Sequence, residues 1–114
     1  MATQSFRDLL VWGKSINFSV DIYKTFLSLR DFSFKDQIQR AALSIPNNIA
    51  EGYARRSDKA LRNFLYISKG SAAEVESMLL IANKLGYIPL DKQTQLTENV
   101  KEIQKLLSGF IKKL

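Results

Sequence analysis

Histidine and cysteine are both absent from the 114 residues of this chain. Without them, zinc and most transition metals lose their usual ligands. The commonest general base and the thiolate nucleophile go too, and no disulfide framework can form. An oxygen-only magnesium site stays formally open, but no residue pattern points to one, and neither metal nor cofactor is expected. Proline and glycine are scarce, at 2 and 5 residues, which disfavours a turn-rich all-β fold. No stretch approaches the ~18 apolar residues of a membrane span. The opening MATQSFRDLLVWGKS lacks the pattern of a signal peptide, because Arg7, Asp8 and Lys14 interrupt its apolar residues. A cytoplasmic protein with no membrane partner is expected.

Apolar residues make up 46% of the chain, enough for a core, so long disorder is not expected. The length suits one domain, spanning 1–114. Four amphipathic segments fill it. The first runs from about Phe6 to Leu29, with Leu9, Ile16, Val20, Tyr23 and Leu27 on one face. Trp12, Phe18, Ile22 and Phe26 widen its apolar surface, and Gly13 suggests a close helix approach. Ser33 is the expected N-cap of the second segment, Phe34 to Arg56, whose stripe is Ile38, Ala42, Ile45, Ile49 and Tyr53.

Pro46 lies inside that stripe. A proline in a helix interior removes one backbone bond and costs ~3 kcal/mol. The apolar pattern nevertheless stays in phase beyond it, which favours one helix kinked at Pro46 over a break at Ser44-Ile45 with Pro46 opening a new helix. Ser57 and Asp58 then cap a third helix, striped by Leu61, Leu65, Ser68, Ala72, Val75, Leu79 and Ala82 and stopped by Gly86. Small residues in its middle, Gly70 to Ala73, would admit a neighbouring backbone. The fourth helix starts near Leu90 or Asp91 and carries Leu96, Val100, Ile103, Leu107, Phe110 and Leu114. Short connections between four such helices argue an all-α, antiparallel, up-down-up-down four-helix bundle.

The formal net charge of +6 favours a polyanionic partner. Arg55, Arg56, Lys59 and Arg62 cluster where the second helix gives way to the third, with Lys69 further on and Arg40 upstream. Cations gathered at one end of a bundle suit phosphate, and arginine does so through its planar fork. The competing reading is a solvated helix end in which Glu51–Arg55 and Asp58–Arg62 pair at i,i+4. Ser44, Asn47, Asn48 and Glu51 surround Pro46. Polar side chains there can bond carbonyls that a helix proline frees. Glu74 and Glu76, two apart on a helix, point away from each other and cannot work as a paired acid and base. No phosphate loop or nucleophile–base constellation is present, so no catalytic residue is assigned.

The run RAALSIPNNIAEGYARRS, followed by FLYISKGSAAEVESMLLIANKLGYI, resembles the four-helix bundle family of 23S rRNA-intervening sequence proteins, also called S23 ribosomal proteins. The matching positions include Ser44, Pro46, Asn48, Glu51, Gly52, Gly70, Ser71 and Glu74, as structural or interface residues. Pro89 departs from the family's frequent Ser-like helix cap. The resemblance implies a bacterial homo-oligomer, a five-membered ring as in the related accessory proteins of diversity-generating retroelements. Those relatives bind nucleic acid through basic surfaces. The resemblance implies no catalytic activity, and the family's name records a gene location. Ring assembly would use surplus apolar residues expected at Trp12, Phe18, Phe26 and Phe32. The function expected is binding of structured RNA or DNA through a basic rim of Arg40, Arg55, Arg56, Lys59, Arg62 and Lys69. The alternative is a protein-interaction scaffold.

Overall fold

The computed structural model describes Phe6 and residues 9–114. Among them are four helices and no strand: α1 (Leu10–Thr25), α2 (Phe32–Ala54), α3 (Asp58–Lys84) and α4 (Leu90–Lys112). Arg7 and Asp8, in the expected first turn, lie outside the described residues. The helices pack into a body 44 × 22 × 19 Å, and α2 against α3 is the most extensive contact. Partner numbers fall on one helix as they rise on the next. Ser44 Oγ meets Ser71 Oγ at 2.8 Å, and Gln37 Nε2 donates to Glu74 at 3.2 Å.

Local chemistry sets most helix ends. Ser57 Oγ accepts the Ala60 N–H at 3.0 Å, as expected of a cap. α2 is capped by Asp31 and not by Ser33, because the helix starts at Phe32 and leaves Ser33 already inside it. Asp31 Oδ1 accepts the Phe34 N–H at 3.1 Å. α3 stops at Gly86, whose φ of 78° is left-handed. The Tyr87 N–H then reaches the Ala82 carbonyl at 2.8 Å and the Gly86 N–H that of Asn83 at 3.0 Å, closing the last turn on itself. Pro89 precedes α4 without a side-chain cap.

The predicted stripes of α3 and of Leu96 to Leu107 on α4 are buried. So is that of α2, apart from the partly buried Tyr53. On α1 the face is different from the one expected. The buried residues are Val11, Ser15, Phe18, Ser19 and Ile22, continuing to Phe26, whereas Val20, Tyr23 and Leu27 are about half exposed. Two serines on the inner face disguised it. Each is satisfied: Ser15 Oγ donates to the Val11 carbonyl at 2.7 Å, and Ser19 Oγ to the Ala42 carbonyl at 2.9 Å. Phe18 and Phe26 therefore belong to the core and are not surplus surface.

The Ser19 bond answers the proline. α2 runs through Pro46 as a single helix. Pro46 has no N–H to give to the carbonyl four residues back, and its ring crowds that carbonyl. That carbonyl is Ala42's, fully buried, and α1 supplies its donor. The next turn is bonded as well. Ser68 Oγ donates to the Ile45 carbonyl at 2.9 Å and Asn48 Nδ2 to that of Ser44 at 2.8 Å. The close helix approach lies at Gly52, where an added Cβ would come within 2.6 Å of the Phe64 Cβ. Gly13 and Gly70 have nothing within 4 Å of that position, so neither glycine marks the close approach expected there.

At the other end of the bundle, Tyr87 Oη donates to Asp31 Oδ2 at 2.6 Å, and its ring meets Phe34 edge-on at 5.3 Å. This bond, with the Phe34 amide, holds the Asp31 carboxyl below its ordinary 3.8, and the same bond raises the Tyr87 hydroxyl. The stabilisation from Asp31 is therefore complete above its ordinary value and is lost as pH falls through the depressed one. The Tyr87 contribution is complete below 10.0 and is lost as pH rises through the raised value.

Two outcomes follow from these contacts. Ser19→Ala leaves a buried carbonyl without a donor and should cost about 1–3 kcal/mol in urea unfolding. Pro46→Ala restores a helical N–H, so in that background the same change should cost clearly less; equal costs would contradict the assignment. Tyr87→Phe removes the larger cause of the Asp31 shift. Its carboxyl carbon, followed by NMR, should then titrate at higher pH than in the parent protein, and an unchanged titration would rule the coupling out.

Candidate nucleic-acid interface

The turn between α2 and α3 carries Arg55 and Arg56, followed by Lys59 in the first turn of α3, all exposed, and by the half-buried Arg62 one turn further on. Their commitments differ. Arg55 Nη2 donates to Glu51 Oε1 at 3.0 Å, and the guanidinium lies 5.3 Å from the centre of the Phe64 ring. Both partners of that pair are more than half exposed, so the pair adds only a few tenths of a kcal/mol and yields to a stronger anion. Arg62 does not pair with Asp58. Its Nη2 donates to the Leu114 carbonyl oxygen at 2.6 Å, fastening the end of α4 to the start of α3. Neither Arg56 nor Lys59 makes a side-chain hydrogen bond or ion pair within the described residues.

Arg56 has a φ of 58° and is the single non-glycine residue with left-handed backbone among the described residues. It follows the C-cap Arg55, a place where helices commonly carry glycine. A side chain there costs roughly 1 kcal/mol relative to glycine.

The other two predicted cations lie elsewhere. Arg40 stands fifteen residues before Arg55 on α2, about 22 Å along the axis. Its Nε donates to both oxygens of Asp36, at 3.0 and 2.9 Å. It borders a shallow hollow of about 340 Å³ with Ser44, Ser71 and Glu74. Lys69 lines a wider groove between α3 and α4, about 810 Å³, together with Lys101, Lys105 and Lys112. Sequence reading missed those three as a set. Their spacing on α4 was visible, but which stripe of α3 they would face was not.

The motif residues form the α2/α3 contact. Asn48 Nδ2 donates to Ser44 Oγ at 2.9 Å, and Ser44 in turn meets Ser71. Pro46 and Gly52 are buried, Glu51 holds Arg55, Glu74 accepts from Gln37, and Gly70 faces outward. Glu76 turns the other way and accepts from Gln104 Nε2 at 3.0 Å. A third cavity, about 230 Å³ between α1 and α4, is flanked by the Lys14–Glu102 and Asp21–Lys92 ion pairs at 2.7 and 3.1 Å. No group of three or more metal-ligating side chains occurs among the described residues, nor is any helix there long and apolar enough to cross a membrane.

No curated protein matches the chain. A crystal structure of a protein of unknown function from the S23 ribosomal protein family of Bacteroides thetaiotaomicron superposes with a TM-score of 0.85 at 32% identity, covering 90% of this chain and 96% of that one. The model of the 23S rRNA-intervening sequence protein family matches residues 7–109. The chain therefore belongs to the 23S rRNA-intervening sequence protein family.

Proposed function

We propose that this chain is a non-enzymatic, cytoplasmic bundle of one domain that binds structured RNA or DNA through phosphate contacts at the α2–α3 turn. We read its helices as running up-down-up-down with a bend at Pro46, a topology that puts the α2–α3 turn and the end of α4 at one end of the body. The observation that carries the reading is Arg56. A left-handed position that glycine would occupy at lower cost holds instead an exposed arginine with no partner among the described residues. Lys59 stands beside it, and Arg55 is held only by a surface ion pair. These groups suit the fixed charge of a backbone and carry no base-reading geometry, so selectivity would come from nucleic-acid shape.

Self-assembly fits the same reading. The half-exposed Val20 and Tyr23 lie on the outer face of α1, with half-exposed Leu27 just past its end and Phe32 exposed at the start of α2. Apolar residues grouped in this way suit a subunit contact. A closed ring, of which five subunits is the family-based expectation, would repeat the basic turn and let weak sites act together. The same face favours the second reading, a scaffold for another protein, whose binding would respond little to salt.

The test uses Arg56→Gly beside Lys59→Ala, with a fluorescently labelled RNA hairpin titrated over ~50 to ~200 mM salt. Arg56→Gly should raise stability by up to about 1 kcal/mol and yet weaken RNA binding. Lys59→Ala should weaken binding without changing stability. Binding that neither variant alters, or that does not respond to salt, would remove the basis for the proposal.

A further inference from the structure

The groove between α3 and α4 is lined by four lysines, whereas the other two cavities mix one cation with two carboxylates each. Lys101, Lys105 and Lys112 project from α4, and Lys69 from α3 faces them. None of the four makes an ion pair or side-chain hydrogen bond within the described residues. The one carboxylate in the lining, Glu76, is engaged by Gln104. Four lysines against one glutamate leave a surplus of three positive charges. The lining also includes the small residues Ala73, Ser108 and Gly109, and a Cβ at Gly109 would have nothing within 4 Å. The trough is therefore open to a bulky ligand.

We infer that this trough is a phosphodiester-backbone site for a double-helical segment, continuous with the basic α2–α3 turn. Three observations combine. First, the α4 lysines run from 101 to 112, about 16 Å of helix axis. That is the length of roughly five phosphate steps on one strand of a duplex. Second, the lining holds no aromatic side chain, and Tyr66, three residues before Lys69 on α3, lies outside it. Single-stranded nucleic acid is held by stacking bases on aromatics as well as by charge. A trough lined by charged, polar and small side chains and by no aromatic suits a backbone whose bases are already paired. Third, Arg62 bonded to Leu114 brings the end of α4, with Lys112 and Lys113, beside the start of α3. The trough and the exposed Arg56 and Lys59 then form one track.

This inference rests on the nucleic-acid reading above, and the experiment separates the two. The probe is a 20-base-pair duplex RNA, with an unstructured 20-nucleotide strand beside it, each titrated against a salt series. A groove variant carries Lys101→Ala, Lys105→Ala and Lys112→Ala. A control variant carries Lys24→Ala, Arg30→Ala and Lys84→Ala, three exposed cations on other parts of the chain, so both variants lose the same net charge. Thermal melts establish that both fold. A third variant, with the groove lysines changed to arginine, keeps the charge.

The groove variant should lose at least ten-fold in duplex affinity, and its slope of log affinity against log salt should flatten by about 2–3. The control should bind nearly as the parent does, and the arginine variant should retain binding. The parent should prefer duplex to single strand. Equal losses in the groove and control variants would reduce the trough to general charge and overturn the inference. So would a groove variant that binds normally while Arg56→Gly does not, an outcome that leaves the nucleic-acid reading standing. A parent protein that binds neither probe at ~50 mM salt would overturn both.

Discussion

Pro46 deprives the Ala42 carbonyl of its helical donor, and the hydroxyl of Ser19 on α1 takes over the bond. Both groups are buried, so neither can turn to water instead. The consequence reaches beyond one hydrogen bond. A buried hydroxyl and a buried orphan carbonyl must face each other, and that fixes how far α1 slides along α2 and how it is rolled. Val11, Phe18, Ile22 and Phe26 then turn inward with Ser19, while Val20, Tyr23 and Leu27 are left outside. α1 makes its least extensive contact with α4, across a seam flanked by two ion pairs. Its placement therefore depends on α2. The half-exposed apolar residues Val20, Tyr23 and Leu27, proposed above as a subunit contact, are outside because of the carbonyl that the proline frees.

The remaining polar contacts within α2/α3 follow the same logic. Ser68 and Asn48 add donors to the Ile45 and Ser44 carbonyls just before Pro46, and Ser44 Oγ is shared between Asn48 and Ser71. Gly52 lets Phe64 come closer than any side chain would allow. Polar satisfaction and close approach thus converge on the stretch that identifies the family. Its residues serve the helix pair first. Only Glu51 extends the stretch toward the charged turn, by restraining Arg55.

Much of this was legible in the sequence. Apolar stripes on α2, α3 and α4 predicted helices and their buried faces, apart from Tyr53, Phe110 and Leu114 near helix ends, which are partly buried. α1 misled because Ser15 and Ser19 lie on its inner face, and a pattern rule reads serine as outside. Only the proline hinted that a hydroxyl would be wanted within, and the sequence does not say which helix supplies it. Ser33 was a fair cap by type, but Asp31 begins the helix two residues earlier. The charged cluster at Arg55 to Arg62 was visible as a run of cations. Its internal bonds were only half visible: Glu51–Arg55 is local in sequence, whereas Arg62 to Leu114 spans the chain. Lys69, Lys101, Lys105 and Lys112 come together only when α3 and α4 pack, so no local rule could group them.

The surface cations fall into groups already engaged and groups left over. Arg40 and Arg55 have carboxylates, Arg62 has a carbonyl, and Lys14 and Lys92 bridge α1 to α4. Lys24, Arg30 and Lys84 are left over singly on other parts of the chain, whereas Arg56 and Lys59 share the α2–α3 junction and Lys69, Lys101, Lys105 and Lys112 share one groove. Backbone amide NMR of the protein titrated with a short RNA duplex tests this division directly. Shift changes should concentrate at Arg56, Lys59 and residues 101–112 and diminish as salt rises. Changes confined to Val20, Tyr23 and Leu27, or persisting unchanged at high salt, would contradict that division and identify the apolar face of α1 as the working surface.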